Sequence, residues 1–435
     1  MKRKRVAVRD SLNASLKDGA CAALMGGVTE HYAIPLALFL GASVQQIGLV
    51  SALPNLLASL SQFLAVRVIY LVGGRIKLLV RLVLGQATVI GCIAVLPWTP
   101  TPWKVELLLA CLILAAVSGG LAGPAWGSLM SDYVPASKRG RYFGWRNRLV
   151  GGVTIGSILG SGLLLSVFRD YSYRLGFSLL FFFAALARYF SAYFIHRMGE
   201  PPHKADPASD FTFLMFVARF KESNFLKFVA FAASLNFATY LSAPFFAVFM
   251  LRDLGFDYLT YMALQVGSSL AALIALPLWG RHADLVGNVR VLRLASLFAA
   301  LIPAFWLVSH HPLYLMAVQI WAGFTWSGVT LATGNFIYDA VTPPKRVRCI
   351  AYFNVINGTA IFAGASLGGL LAAHLPPVFG FSLLALFAVS SLARLSVYLL
   401  MSRSFREVRR THDATIQELF FSVIGIRPLV GPARD

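Results

Sequence analysis

The chain has 435 residues, of which 58% are hydrophobic and only 13% are charged, whereas soluble domains carry about 25% charged residues. This composition excludes an ordinary soluble protein and favours a polytopic membrane protein. The formal net charge of +20 would suit a nucleic-acid-binding protein only if the basic residues formed a patch. They are instead scattered along the chain, and no nucleic-acid partner is expected.

Twelve long apolar stretches follow one another along the chain. Each is long enough to cross about 30 Å of hydrocarbon as a helix. They cover approximately residues 18–40, 46–66, 76–97, 104–131, 142–168, 174–197, 225–250, 258–280, 288–309, 312–338, 349–373 and 378–402. The sequence therefore predicts an all-α integral membrane protein with twelve transmembrane helices.

The basic residues indicate the orientation of these spans. Of the 38 lysines and arginines, 32 fall on one side of the membrane, four fall on the other, and Arg188 and Arg394 lie within spans. Cytoplasmic loops retain an excess of basic residues. We therefore predict a multi-pass protein of the cytoplasmic (inner) membrane with both termini in the cytoplasm, and we expect Arg188 and Arg394 to extend toward the cytoplasmic surface.

The two halves of the sequence repeat one plan. Six residues recur 207 positions later: Asp132, Lys138, Arg139, Arg141, Asn147 and Gly151 correspond to Asp339, Lys345, Arg346, Arg348, Asn354 and Gly358. Because six spans return the chain to its starting side, the halves have the same orientation. This predicts two six-helix bundles in a parallel pseudo-twofold repeat.

The repeat also divides the chain into segments. We predict an N-terminal bundle over 1–197, a cytoplasmic linker over 198–224, a C-terminal bundle over 225–402 and a cytoplasmic tail over 403–435. In the tail, apolar residues at helical spacing from Ile416 to Val423 predict a helix that lies at the membrane interface.

Two loops carry a family resemblance. The segment from Gly280 through Asp284 and Gly287 to Arg290 resembles the GxxxDxxGxxx(R/K) loop of the major facilitator superfamily. The segment that begins at Asp132 resembles the superfamily's DxxPxxxRG sequence. The twelve-span pattern extends this resemblance over almost the whole chain, and it implies a secondary transporter with spans 1, 4, 7 and 10 around a cavity.

Glu30 is the candidate for proton coupling. It is the one acid that the predicted spans place near mid-membrane, where an acid costs about 2.5–3.5 kcal/mol and usually faces a cavity or a partner. His31, about 100° further round the helix, is a candidate relay or ligand. The alternative for both is a structural role in packing.

Polar and aromatic residues in spans 7 and 10 are the candidates for substrate binding. Asn236 and Tyr240 lie four residues apart in span 7, and Trp321 and Trp326 lie in span 10. Large aromatic side chains with few polar groups suit an amphipathic organic substrate. Ordinary packing and an interfacial aromatic belt remain the alternative for the tryptophans.

Charged residues in the cytoplasmic loops are the candidates for a conformational gate. Asp132 and Asp339 end their helices where the dipole disfavours an anion, so we expect them to pair with Arg141 and Arg348. Asp284 is expected to latch against the start of span 5, which carries Arg141 and Arg146. The complete set of gate candidates is Asp132, Arg139, Arg141, Arg281, Asp284, Asp339, Arg346 and Arg348.

The functional prediction is a secondary active transporter that moves a small organic or amphipathic solute by alternating access, with Glu30 as the option for proton coupling. The alternatives are a transporter of lipid-like molecules and a transport-inactive assembly factor. The inactive alternative is favoured by Tyr70, which stands in the loop between spans 2 and 3 where the family resemblance implies an aspartate. No enzymatic or metal-binding motif is present, and no cofactor is expected. The expected partners are a small-molecule substrate, membrane lipids and protons.

Overall fold

The computed structural model describes residues 2–134, 136–201, 223–409 and 416–423. Fifteen α-helices lie within these ranges. They are α1 Lys2–Phe39, α2 Val44–Ser61, α3 Ala65–Val72, α4 Arg75–Val95, α5 Lys104–Tyr133, α6 Ala136–Val167, α7 Tyr173–His196, α8 Asn224–Tyr240, α9 Phe245–Val248, α10 Tyr258–Val286, α11 Asn288–Phe305, α12 Pro312–Ala340, α13 Pro343–His374, α14 Ser382–Met401 and α15 Ile416–Val423.

The described helices are those of a polytopic membrane protein. Eleven helical segments in these ranges are long and apolar enough to cross a membrane. The 38-residue α1 is not among them, because polar residues such as Asp18, Glu30 and His31 lower its mean hydropathy. The predicted all-helical membrane fold is confirmed.

The first helix begins much earlier than the sequence pattern suggested. We expected it to start near residue 18, but α1 is helical from Lys2. Ser11, Ser15 and Asp18 are spaced by four and three residues and lie buried on one face. The Ser15 hydroxyl lies 3.4 Å from Met130 Sδ, so this segment packs against other helices.

Two compact units make up the chain. The first contains Met1–Asp206 together with Pro244–Met262, and the second contains Pro207–Ala243 and Ala263–Asp435. In the first unit, α4 packs against α5 and α7, and α1 packs against α6 and α7. Small residues permit these contacts: a Cβ built at Gly27 would lie 2.7 Å from Ser157 Oγ.

In the second unit, α8 packs against α13 and α14, and α11 packs against α12 and α14. Gly364 and Gly368 of α13 approach the backbone of the α8 segment so closely that a Cβ at either glycine would collide with a carbonyl oxygen. At one end of the unit, the Phe228 ring stacks on Phe353 at 5.9 Å. The Phe405 ring, which is fully buried, packs edge-on against Phe228.

Our prediction that the tail helix lies at the membrane interface is wrong. In α15, Leu419 is fully buried and Val423 nearly so, both within the core of the second unit. Ser422 of the same helix hydrogen-bonds with His282 at 3.0 Å. The apolar face of α15 therefore covers protein, and its Phe420 ring meets the Phe298 ring of α11 edge to face at 5.9 Å.

The stretch predicted as one helix over 225–250 is broken. Residue Tyr240 ends α8, a turn covers 241–244, and α9 begins after Pro244. Proline lacks an N–H donor and disfavours helical geometry in the residue before it. The chain after this break, Pro244–Met262, belongs to the first unit.

The loop before α10 carries an acid with a shifted pKa. Hydrogen bonds from the side chain and backbone of Thr260 lower the pKa of Asp257.

Candidate functional site

Glu30 lies in α1 as an acid without a partner. Its side chain is exposed and makes no hydrogen bond or ion pair with any residue that the structure describes. Its nearest small neighbour on the helix is Gly26, where a Cβ would lie 3.7 Å from Glu30 Oε1. An acid that is left free in this way can accept and release a proton without breaking an internal bond.

The turn of α1 that carries Glu30 is fixed by tyrosines. The buried Tyr32 hydroxyl donates to the Ile158 carbonyl of α6 at 3.0 Å, and the Tyr261 hydroxyl donates to the His31 carbonyl at 2.9 Å. The Tyr32 and Tyr261 rings meet edge to face at 6.1 Å. His31 itself is half-buried. The position of Glu30 thus depends on α6 and on the segment that follows Pro244.

A second acid of α1, Asp18, was missed from the sequence because it was placed at the edge of the span. It is buried and accepts a 2.6 Å hydrogen bond from the Ser191 hydroxyl. Arg188 donates to Ser191 at 2.9 Å and to the Gln86 side chain at 2.7 Å. The four side chains form one buried polar network across α1, α4 and α7.

Our prediction that Arg188 and Arg394 extend toward the cytoplasmic surface is wrong. Arg188 is 8% exposed and belongs to the Asp18 network. Arg394 is 1% exposed and donates to the Ala299 and Thr239 carbonyls at 3.0 and 3.2 Å. Buried polar partners hold both guanidinium groups inside the protein, although Arg394 Nε has no hydrogen-bond partner among the described residues.

In the second unit, the amide of Asn236 donates to the Asn357 side chain at 2.6 Å. Tyr240 is half-buried at the end of the same helix, α8. Trp321 packs against Phe298 at 4.8 Å, and Trp326 packs against the hydrophobic core of the unit. Asn236 and Tyr240 remain together as polar candidates, while the two tryptophans contribute to packing.

At the end of α5, Asp132 is bonded to a buried arginine. Arg75 Nη1 lies 2.7 Å from Asp132 Oδ2, and the Arg75 backbone N–H donates to Glu200 at 2.7 Å. Arg75 is the first residue of α4, where an anion is favoured by the helix dipole. The side chain of Arg141, the expected partner, lies outside the described residues, as does that of the gate candidate Arg139.

The second unit repeats this arrangement with different residues. Asp339 accepts hydrogen bonds from Asn288 and Arg409, each at 2.7 Å, rather than from Arg348, which is half-buried. Glu407 accepts the Val289 backbone N–H at 2.8 Å. Glu200 and Glu407 are 207 positions apart, so the repeat that identified the aspartates could also have identified these glutamates.

Asp284 lies on the exposed end of α10. Its side chain is 80% exposed and lies 3.9 Å from the Arg409 guanidinium. The Arg281 side chain is also exposed, and the Arg346 side chain lies outside the described residues. Among the described residues, no group of three or more His, Cys, Asp or Glu side chains could hold a metal ion.

The sequence matches the model of the Major Facilitator Superfamily over residues 20–240 and 226–429. No curated protein matches it significantly. Solved structures share the fold at low identity. A mutant of the nucleoside transporter NupG has a TM-score of 0.74 and 12% identity, with 91% of this chain and 100% of that chain covered.

Two further structures have the same architecture. A D-xylose-proton symporter has a TM-score of 0.68 and 11% identity, with 95% of this chain and 100% of that chain covered. A bacterial homologue of the human lysosomal transporter Spinster, in an inward-facing and unoccupied conformation, has a TM-score of 0.67 and 15% identity, with 92% and 98% covered. The helical membrane fold and these matches define a multi-pass membrane transporter rather than an enzyme. The chain belongs to the Major Facilitator Superfamily.

Proposed function

We propose that this transporter moves a small amphipathic organic solute across the cytoplasmic membrane and couples that movement to a proton at Glu30. The observation that carries the proposal is the state of Glu30 itself. It is an acid in a membrane-spanning helix, and none of its oxygens is bonded to a described residue. Intramembrane acids of this kind mark ion and proton pathways more often than structural sites.

Asp18 differs from Glu30 in the property that coupling requires. The Asp18 carboxylate is held by Ser191 and lies near Arg188, so a proton there would have to replace established bonds. Glu30 has no such bond to lose. We therefore assign coupling to Glu30 and a structural role to Asp18.

The cytoplasmic acids supply the proposed gate. Asp284 is exposed, and its one ion-pair partner among the described residues, Arg409, lies 3.9 Å away, so its charge is available to act in the proposed gate. Tyr70, at the corresponding place in the first half, is exposed but uncharged at neutral pH. The proposed latch is therefore present on one half only.

Both termini are proposed to lie in the cytoplasm. The support is the distribution of basic residues, 32 on one side against four on the other, because cytoplasmic loops retain lysine and arginine. This orientation places Asp132, Asp284 and Asp339 on the cytoplasmic side, where an alternating-access cycle needs a gate.

A ligand screen tests the transport proposal. The purified full chain would be melted in the presence of a broad library of metabolites and drugs, since a ligand that binds only the native state raises its melting temperature. At least one small amphipathic compound should stabilise the protein and then accumulate in proteoliposomes that contain it. A screen without any ligand would favour an assembly role and contradict the proposal.

A further inference from the structure

Arg146 of α6 makes no hydrogen bond with any residue that the structure describes. Its guanidinium carbon lies 4.5 Å from the centre of the Trp126 ring. On α1, a Cβ built at Gly19 would lie 2.7 Å from Arg146 Nη2 and 3.0 Å from Cζ. The guanidinium group therefore packs against the Trp126 ring and against the bare backbone of Gly19, and the absence of a side chain at residue 19 makes its position possible.

Two buried donors at this place have no acceptor among the described residues. Arg146 Nε and Trp126 Nε1 are both buried and unbonded, and no hydrogen bond or ion pair joins Arg146 to any other residue that the structure describes. An unsatisfied buried donor destabilises the fold, and more so when it is charged. A structural arginine would be expected to have partners, as Arg188 has in the same unit.

The local charge is also unbalanced. Arg146 and Arg188 both lie near enough to Asp18 for their charges to act on it. Arg188 is joined to the Asp18 network through Ser191, so the single negative charge is already shared. Among the described residues, two guanidinium groups and one carboxylate leave a net positive charge. This charge lies on Arg146, which makes no hydrogen bond with a described residue.

We propose that Arg146, clamped between Gly19 and Trp126, binds the oxyanion of an amphipathic organic anion. A guanidinium group presents parallel N–H donors that match two oxygens of a carboxylate, sulfonate or phosphate group. The rings of Trp126 and Phe143 meet edge to face at 6.2 Å beside this guanidinium group, and the proposal places the apolar body of the ligand along them. This assignment rests on the proposed transport function and names its substrate class.

The test uses 2-naphthalenesulfonate, which stays charged at all working pH values, and 2-naphthalenesulfonamide, its neutral counterpart. Binding of each to the full chain in an uncharged detergent would be measured by equilibrium dialysis. The anion should bind at least about tenfold more tightly than the amide, since hydrogen bonds to a charged group exceed neutral ones by such a factor. Equal binding of the two probes, or no binding of the anion, would overturn the proposal.

Four variants locate the anion. Arg146→Gln should reduce sulfonate binding to the level of the sulfonamide, and Gly19→Ala should weaken it because the new Cβ displaces the guanidinium group. Arg148→Gln, which removes an exposed charge two residues away, is the matched control and should bind as the original does. Arg146→Lys is the control for misfolding because it keeps the positive charge. It should bind the sulfonate more weakly than the original protein but more tightly than Arg146→Gln. Full sulfonate binding by a folded Arg146→Gln protein would sink the assignment.

Two sources of the anion can be separated in lipid nanodiscs. If the oxyanion belongs to a soluble solute, added phosphatidylglycerol should leave sulfonate binding unchanged. If it is a lipid headgroup, phosphatidylglycerol should compete with the sulfonate, and the competition should depend on Arg146. The library screen separates failure of the anion site from failure of the transport proposal. A neutral or cationic ligand whose transport is unchanged in Arg146→Gln would refute the anion site but support the transport function.

Discussion

At the residue scale, the ion pair between Arg75 and Asp132 is the clearest point at which charge stabilises the first unit. The Arg75 side chain is 2% exposed and that of Asp132 is 33% exposed. Removing one partner of a buried pair costs about 3–5 kcal/mol, because the other charge remains desolvated. The exposure of Asp132 places the expected cost at the lower end of that range.

Arg75→Gln should therefore lower the melting temperature of the detergent-purified protein by several degrees. Arg67→Gln is the matched control, since Arg67 is an exposed arginine just before the same loop, and it should leave the melting temperature unchanged. Equal melting of both variants and the original would show that the pair contributes little.

Residues differ in how far their sequence context predicts their surroundings. Glu30 could be found because it lies in the middle of a predicted span. Asp18 could not, since nothing in the sequence pattern shows that α1 extends back to Lys2. The roles of Arg146 and Arg188 depend on contacts with α1, α4 and α5 that are distant in sequence. Only the repeat, which pairs residues 207 positions apart, carried long-range information.

At the element scale, close helix contacts depend on glycine. A Cβ at Gly323 of α12 would collide with the Ser268 carbonyl of α10, whereas a Cβ at Gly334, also in α12, would meet open space. The clash involves backbone, which cannot move without shifting a helix. Overpacking of this kind costs about 1–3 kcal/mol, occasionally more.

We expect Gly323→Ala to destabilise the protein and Gly334→Ala to stabilise it slightly, because alanine is favoured over glycine in a helix by about 0.5–1 kcal/mol. Thermal unfolding of both variants under the same conditions measures the difference. A stabilising Gly323→Ala would mean that α10 and α12 are further apart than the structure has them.

The sequence predicted the existence of the long helices well, because the length of each apolar stretch determines it. It predicted their breaks and surroundings poorly, because local contacts determine those. The apolar run over 225–250 did not reveal that the chain turns at 241–244, although Pro244 was the available signal. The apolar spacing of α15 was correct, but amphipathicity alone does not distinguish a membrane interface from a protein surface. Leu419 is buried by the core of the second unit.

At the scale of the whole molecule, the distribution of basic residues makes a prediction that the fold alone does not. In a background without the four native cysteines, single cysteines would be tested with an impermeant thiol reagent on intact cells. Those placed at Trp103, Ser172 and His311 should react, and those at Ser137 and Ala208 should react only after the membrane is opened. The opposite pattern would reverse every assignment of side, including that of the gate.

The measurement that tests the central claim most directly is substrate-driven proton movement in proteoliposomes that contain a trapped pH indicator. Addition of the transported ligand from the library screen should change the internal pH with the original protein. Glu30→Gln should abolish that change because it removes the titratable group while preserving side-chain size. His31→Asn is the neighbouring control and should retain proton movement.

Exchange of the ligand between compartments at equal pH should survive in Glu30→Gln, since exchange needs no net proton transfer, and its survival would show that the variant is folded. A folded Glu30→Gln protein that exchanges ligand but moves no protons is the result that our account predicts. Proton movement that persists in Glu30→Gln would contradict it.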